Sequence, residues 1–92
     1  MTGSPDSNSY QDALTAGPGG AMTDEVGIIT GNLTVRTTLD DDRHCAHAAV
    51  QYTGADEWYT LTGSPSPLPD DDLSTYHDDL LDRIRHGEGA HA

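Results

Sequence analysis

No lysine occurs in these 92 residues, and four arginines face sixteen acids, for a net charge of −12. Affinity for nucleic acid rests on cations that displace counterions from phosphate, so direct nucleic-acid binding is excluded. The same shortage excludes a polybasic membrane anchor. Nor does any apolar run approach the roughly 20 residues of a bilayer-spanning helix. The polar start, Met1 to Tyr10, has no apolar centre of the kind a secretory signal needs. These absences predict a cytoplasmic location. A single cysteine, Cys45, leaves no internal disulfide, in keeping with a reducing compartment. Phenylalanine is missing as well, tryptophan occurs once, and only 34% of the residues are hydrophobic. So little core material allows at most one small domain and leaves part of the chain to disorder.

The first 24 residues carry Ser, Gly, Pro, Asn and Asp with scattered Ala and no apolar period. Ordering a residue costs about 1–2 kcal/mol, and Ala13-Leu14 alone does not offset that, so a disordered tail is expected over 1–24. The run Gly17-Pro18-Gly19-Gly20-Ala21 ahead of Met22 reads as a translated ribosome-binding sequence, with Met22 as the natural start. A single α+β domain is expected over 25–87, and 88–92 should fray.

Within that domain Leu33, Val35, Thr37 and Leu39 alternate with polar neighbours, the period of a half-buried strand. Val26 to Thr30 before it is β-branched. It predicts either a short extra strand turned at Gly31-Asn32 or one long strand bulged at Gly31. Asp40 to Arg43 interrupts as a loop. Cys45 to Tyr52 is a second strand, with Ala46, Ala48, Val50 and Tyr52 on one face and Cys45, His47, Ala49 and Gln51 on the other. Thr53 to Asp56 turns the chain into a third strand, Glu57 to Thr62. Short loops make these neighbours antiparallel, a meander of three strands or four. Gly63 to Pro69 is irregular because of its prolines. Beyond it Leu73, His77, Leu80, Leu81 and Ile84 form one apolar helical stripe. Asp70 to Asp72 stand at its start and Arg83, Arg85 and His86 in its last turn, matching the helix dipole. Gly87 closes it. A C-terminal helix on one face leaves the other sheet face wet, so dimerisation through that face or an edge strand is expected.

Chemistry-bearing residues are sparse. Cys45 and His47 share a strand face, and His77 lies on the helix. If the helix covered that face the three would converge as a Cys-His-His zinc site with one open position. Packing on the Ala46 face would separate them instead. Asp40, Asp41 and Asp42, like Asp70 to Asp72, lack the spacing of a calcium loop and suit a turn and a helix cap. Ser64 and Ser66 have histidines and aspartates to spare but no nucleophile elbow. No catalytic residue, cofactor or family resemblance is assigned.

Trp58 and Tyr59 point to opposite faces of their strand, so one ring faces outward. Tryptophan and tyrosine are over-represented among the residues that dominate binding energy. Together with the acidity they predict a small protein-interaction module, adaptor or inhibitor-like, for a basic partner, with Trp58, Tyr59 and Asp40, Asp41 and Asp42 as the contact set. Two alternatives remain: a zinc-dependent or zinc-stabilised protein using Cys45, His47 and His77, and a nucleic-acid mimic whose aspartates stand in for phosphates. The acidity also suits a salty cytoplasm or a G/C-rich genome, neither of which calls for a function.

Overall fold

The computed structural model describes residues 8–68 and 72–92. Among these residues seven strands precede one helix: β1 (Ser9–Thr15), β2 (Ala21–Thr23), β3 (Gly27–Ile29), β4 (Asn32–Leu39), β5 (Cys45–Tyr52), β6 (Tyr59–Thr60), β7 (Ser66–Pro67) and α1 (Leu73–His86). An antiparallel sheet runs β1-β4-β5-β6, with β7 also on β5, and β2 and β3 form a separate hairpin. This is the expected α+β architecture of sheet and C-terminal helix, with more strands than the meander alone supplies.

The long strands follow from alternation. Val35 pairs with Val50, Thr37 with Ala48 and Leu39 with Ala46, and cross-strand partners share a face. That face carries Leu33, Val35, Ala46, Ala48 and Val50, all buried. Against it packs the stripe of α1, where Leu73, His77, Leu80, Leu81 and Ile84 are the buried residues. Each such leucine or isoleucine contributes about 1.5–3 kcal/mol of transfer free energy. Tyr52 continues the same face beyond the helix and is exposed.

The helix ends follow the expected chemistry with one difference. Asp72 is the N-cap, its carboxylate accepting from Thr75 N at 3.1 Å and from the Thr75 hydroxyl at 2.7 Å. No acid lies in the first turn itself, and Asp70 and Asp71 fall outside the described residues. The Thr75 hydrogen bonds hold the Asp72 carboxyl below its ordinary pKa. Thr60 does the same for Glu25 and His47 for Asp40. A carboxyl depressed on folding stabilises above its unfolded pKa and loses that contribution as pH falls through the folded one. Asp72→Ala is therefore expected to melt below wild type by a constant margin above about pH 5. The margin should narrow on further acidification, and one that widens in acid would contradict the cap's role.

Several expectations are corrected. First, residues 9–24 are not a tail: β1 pairs with β4 along seven positions, from Ser9 opposite Thr38 to Thr15 opposite Asn32, and β2 pairs with β3. Residues 1–7 lie outside the described region. The segment is held by backbone pairing and a few apolar contacts, Tyr10, Leu14, Ala16 and Ala21, which leave little trace in hydropathy. Second, Val26 to Thr30 neither turns back on β4 nor extends it. Gly31 adopts φ 89° and its carbonyl accepts from Ala16 N, which directs β3 to β2. The third expected strand shortens to β6. Past it, Thr62 N donates to the Met22 carbonyl while Leu61 N still donates to Ala48, joining the hairpin to the sheet. Ser66–Pro67, expected irregular, pairs with β5 at its edge, where proline is tolerated.

Third, Glu88 to Ala92 does not fray. Glu88 N, Gly89 N and Ala90 N donate in turn to the carbonyls of Pro18, Gly19 and Gly20, and Met22 N donates to Ala90 O. Ala90 is buried. The glycines of 17–20 and 87–89 let two backbones run this close: a Cβ on Gly87 would strike the Pro18 carbonyl oxygen, and one on Gly17 the Arg85 carbonyl. What reads in sequence as a linker and a loose end is one clasp.

Candidate functional site

Register separates the three zinc candidates. Thr38 pairs with His47 while Thr37 pairs with Ala48, so Cys45 and His47 lie on the outer sheet face and His77 under the inner one. His47 Nε2 sits 3.2 Å from Asp40 Oδ1. Burial, with the charges of Asp42 and Asp40 behind it, pushes the Cys45 thiol up, away from the thiolate that metals require. Among the described residues no three His, Cys, Asp or Glu side chains are placed to hold a metal.

Asp40 to Asp42 shape the β4–β5 turn. Asp42 Oδ1 accepts from His44 N at 2.8 Å and from Cys45 N at 3.3 Å. Asp40 accepts from Asp41 N at 2.9 Å. These are the local side-chain-to-backbone bonds that suit aspartate to turns.

One polar constellation was not anticipated. His77 is 2% exposed. Its Nδ1 lies 2.8 Å from the Thr37 hydroxyl and its Nε2 2.8 Å from Asp12 Oδ2, with the Tyr10 ring 5.5 Å away, centroid to centroid. A carboxylate only accepts, so the ring donates Nε2–H to Asp12, and Nδ1 closes the chain with the Thr37 hydroxyl. Hydroxyl, imidazole and carboxylate in a row have the composition of a nucleophilic triad. Thr37, however, is 0% exposed and cannot meet a substrate. The chain of bonds ties β1, β4 and α1 together. Its hidden member was Asp12, in a segment whose only inward apolar residues are Tyr10 and Leu14.

Trp58 and Tyr59 do face opposite ways. Trp58 lies beneath Arg36, whose guanidinium sits 4.1 Å from the ring centroid while its Nε donates to Gln11 Oε1 at 3.1 Å. A cation–π contact of this kind already covers one face of the indole, and Trp58 is half-buried. Tyr59 turns inward at the sheet's end, meets Tyr52 edge-on with centroids 6.5 Å apart, and donates to Glu57 Oε1 at 3.3 Å. Burial, then the Glu57 charge and hydrogen bond, then Tyr52 and Glu25, raise its phenol above the ordinary value. Glu25 accepts from Thr60 N at 2.7 Å, and Asp24 accepts from the Thr62 hydroxyl at 2.9 Å. Val26, the chain neighbour of Glu25, is 53% exposed and Tyr52 42%, while Ile28, 46% exposed, turns its side chain toward Gly89 of the clasp. The expected contact set is thus spread over both faces, and Asp40 to Asp42 sit at the opposite end of β5 from Tyr52.

An open cleft of about 220 Å³ lies at the end of α1, lined by Arg83, His86, Gly87, Glu88, Ala90 and His91. Ligand sites commonly occupy about 300–1,000 Å³. Arg83 braces the clasp, its Nη1 donating to His91 O at 2.7 Å, while His86 Nδ1 donates within the helix to Asp82 O at 2.8 Å. No helix among the described residues is long and apolar enough to cross a membrane. No protein-family model, curated protein or solved structure matches this chain.

Proposed function

We propose that the protein is a small acidic interaction module, adaptor or inhibitor-like, that receives a basic partner. The observation supporting this reading is the company its exposed apolar side chains keep. Among the described residues the exposed large hydrophobics include Tyr52 and Val26; Tyr52 meets Tyr59, which donates to Glu57 and feels the Glu25 charge, and Val26 follows Asp24 and Glu25 in the chain. Apolar anchors rimmed by carboxylates suit a segment presenting apolar side chains flanked by arginine or lysine. The tyrosine faces accept a cation, and the net charge of −12 steers such a partner inward.

This reading moves the expected anchor from Trp58 to Tyr52. Complexes captured from cells with the tagged chain supply the partner for the test. Tyr52→Ala is expected to weaken the complex by about 2 kcal/mol, roughly thirtyfold, with an association rate that falls as salt rises. Trp58→Ala should act on stability, because its ring already has Arg36 over it. Unchanged affinity in both variants, or a salt-independent rate, would remove the proposal.

A further inference from the structure

β1 is one edge of the sheet. Leu39 N donates to Asn8 O at one end of its ladder and Ala16 N to Gly31 O at the other. Antiparallel pairing alternates inward and outward backbone groups, so Tyr10, Asp12 and Leu14 turn theirs to β4. Ser9, Gln11, Ala13 and Thr15 turn their N–H and C=O groups away from it, and among the described residues these have no partner. Natural edges are commonly blunted by lysine, proline, a bulge or shortness. This one is seven residues long, holds neither lysine nor proline, and runs without a bulge along its whole register.

Its charge is as telling. Over residues 8–23 the one charged side chain is Asp12, and its carboxylate is turned to the helix side and bonded to His77. The outward positions are Ser, Gln, Ala and Thr. On a chain of charge −12 the β1 edge is the neutral stripe, where a like-charged molecule approaches against least repulsion. A basic strand, by contrast, finds no free carboxylate there.

We infer that β1 pairs antiparallel with β1 of a second copy, joining two sheets into one across a two-fold axis. The inference stands apart from the proposed basic partner, and it has a consequence for it. The Tyr52–Tyr59 surface belongs to the β6 side, three strands from β1 in the order β1-β4-β5-β6. A β1-to-β1 dimer therefore leaves both acidic surfaces open at its outer ends, a bivalent arrangement.

The test is the mass of the full chain in solution across concentration and salt, with exchange of the β1 amides. Screening relieves repulsion between two acidic copies, so the dimer is expected to tighten about tenfold between about 50 and about 500 mM NaCl. Capture of a basic partner weakens over the same range, so the two readings fail independently. The Gln11, Ala13 and Thr15 amides should become protected as the dimer forms. Ala13→Pro removes an outward N–H that β4 does not use, and is expected to leave a folded monomer. Ala13→Glu keeps the N–H and is expected to weaken the dimer at least about tenfold at low salt, with recovery at high salt. A wild type that stays monomeric at every salt concentration overturns the inference. So does a dimer indifferent to both variants, or protection of these amides in the monomer.

Discussion

Gly87→Ala is expected to cost about 4 kcal/mol and to bring the protein close to unfolding at room temperature. Two effects add. Gly87 has φ 87° and ψ −137°, a region that only glycine populates readily, and a side chain there stores about 1–3 kcal/mol of strain. The new Cβ would also meet the Pro18 carbonyl oxygen and the Gly17 backbone. Neither is the end of a flexible side chain, so the two strands of the clasp must part. Parting them weakens the bonds from Glu88, Gly89 and Ala90 to the 18–20 carbonyls. The core position of Ala90 goes with them. Gly54→Ala provides the control: Gly54 has φ 90° with nothing near its missing Cβ, so it should cost only about 1–2 kcal/mol. Urea denaturation of both variants decides the matter. Equal losses would mean that conformational preference, and not close approach, governs position 87.

His77→Ala is expected to cost about 3–4 kcal/mol. The imidazole is fully enclosed between sheet and helix, and its removal leaves a cavity beside Thr37, Asp12 and Tyr10, with a cost set by how little the walls collapse. It also strands the Thr37 hydroxyl, which is itself 0% exposed and has His77 Nδ1 as its partner. An orphaned buried hydroxyl costs about 1–3 kcal/mol. The double variant His77→Leu/Thr37→Val replaces both polar groups by apolar ones and is expected to recover most of the loss. Asp12→Ala should cost much less, since its carboxylate is 58% exposed and water replaces what it loses. A double variant no better than His77→Ala would show that the cavity, and not the polar pair, dominates. A large loss in Asp12→Ala would place the weight on the other end of the chain of bonds.

Both residues illustrate what is legible in a sequence. Leu73, His77, Leu80, Leu81 and Ile84 spell out one helical face, and every one of them is buried. Alternation in β4 and β5 likewise assigns the core face correctly, down to the choice of Ala46, Ala48 and Val50 over Cys45 and His47. On that face the register places Cys45 and His47 away from His77. Periodic burial leaves a periodic trace, because each buried side chain must be apolar where the geometry repeats.

β1 and the clasp leave no such trace. Ser9–Thr15 is held mostly by main-chain pairing with β4, and N–H and C=O groups are the same in every sequence. The clasp works through what its glycines lack, and three glycines beside a proline look alike whether they form a linker or a close approach. The Thr37–His77–Asp12 chain joins positions 65 residues apart, and Asp12 could not be assigned to it before β1 was placed on β4.

The sequence by itself determined the fold class, the helix with its cap and buried face, the two long strands, and the acidity that any partner must meet. These depend on interactions between near neighbours, or on sums over the whole chain. Only the tertiary structure decided that the first strand exists, that the C-terminus is clasped, and that Tyr52 and not Trp58 stands free beside the carboxylates. Each of these turns on which backbone lies against which, and no local pattern of side chains encodes that.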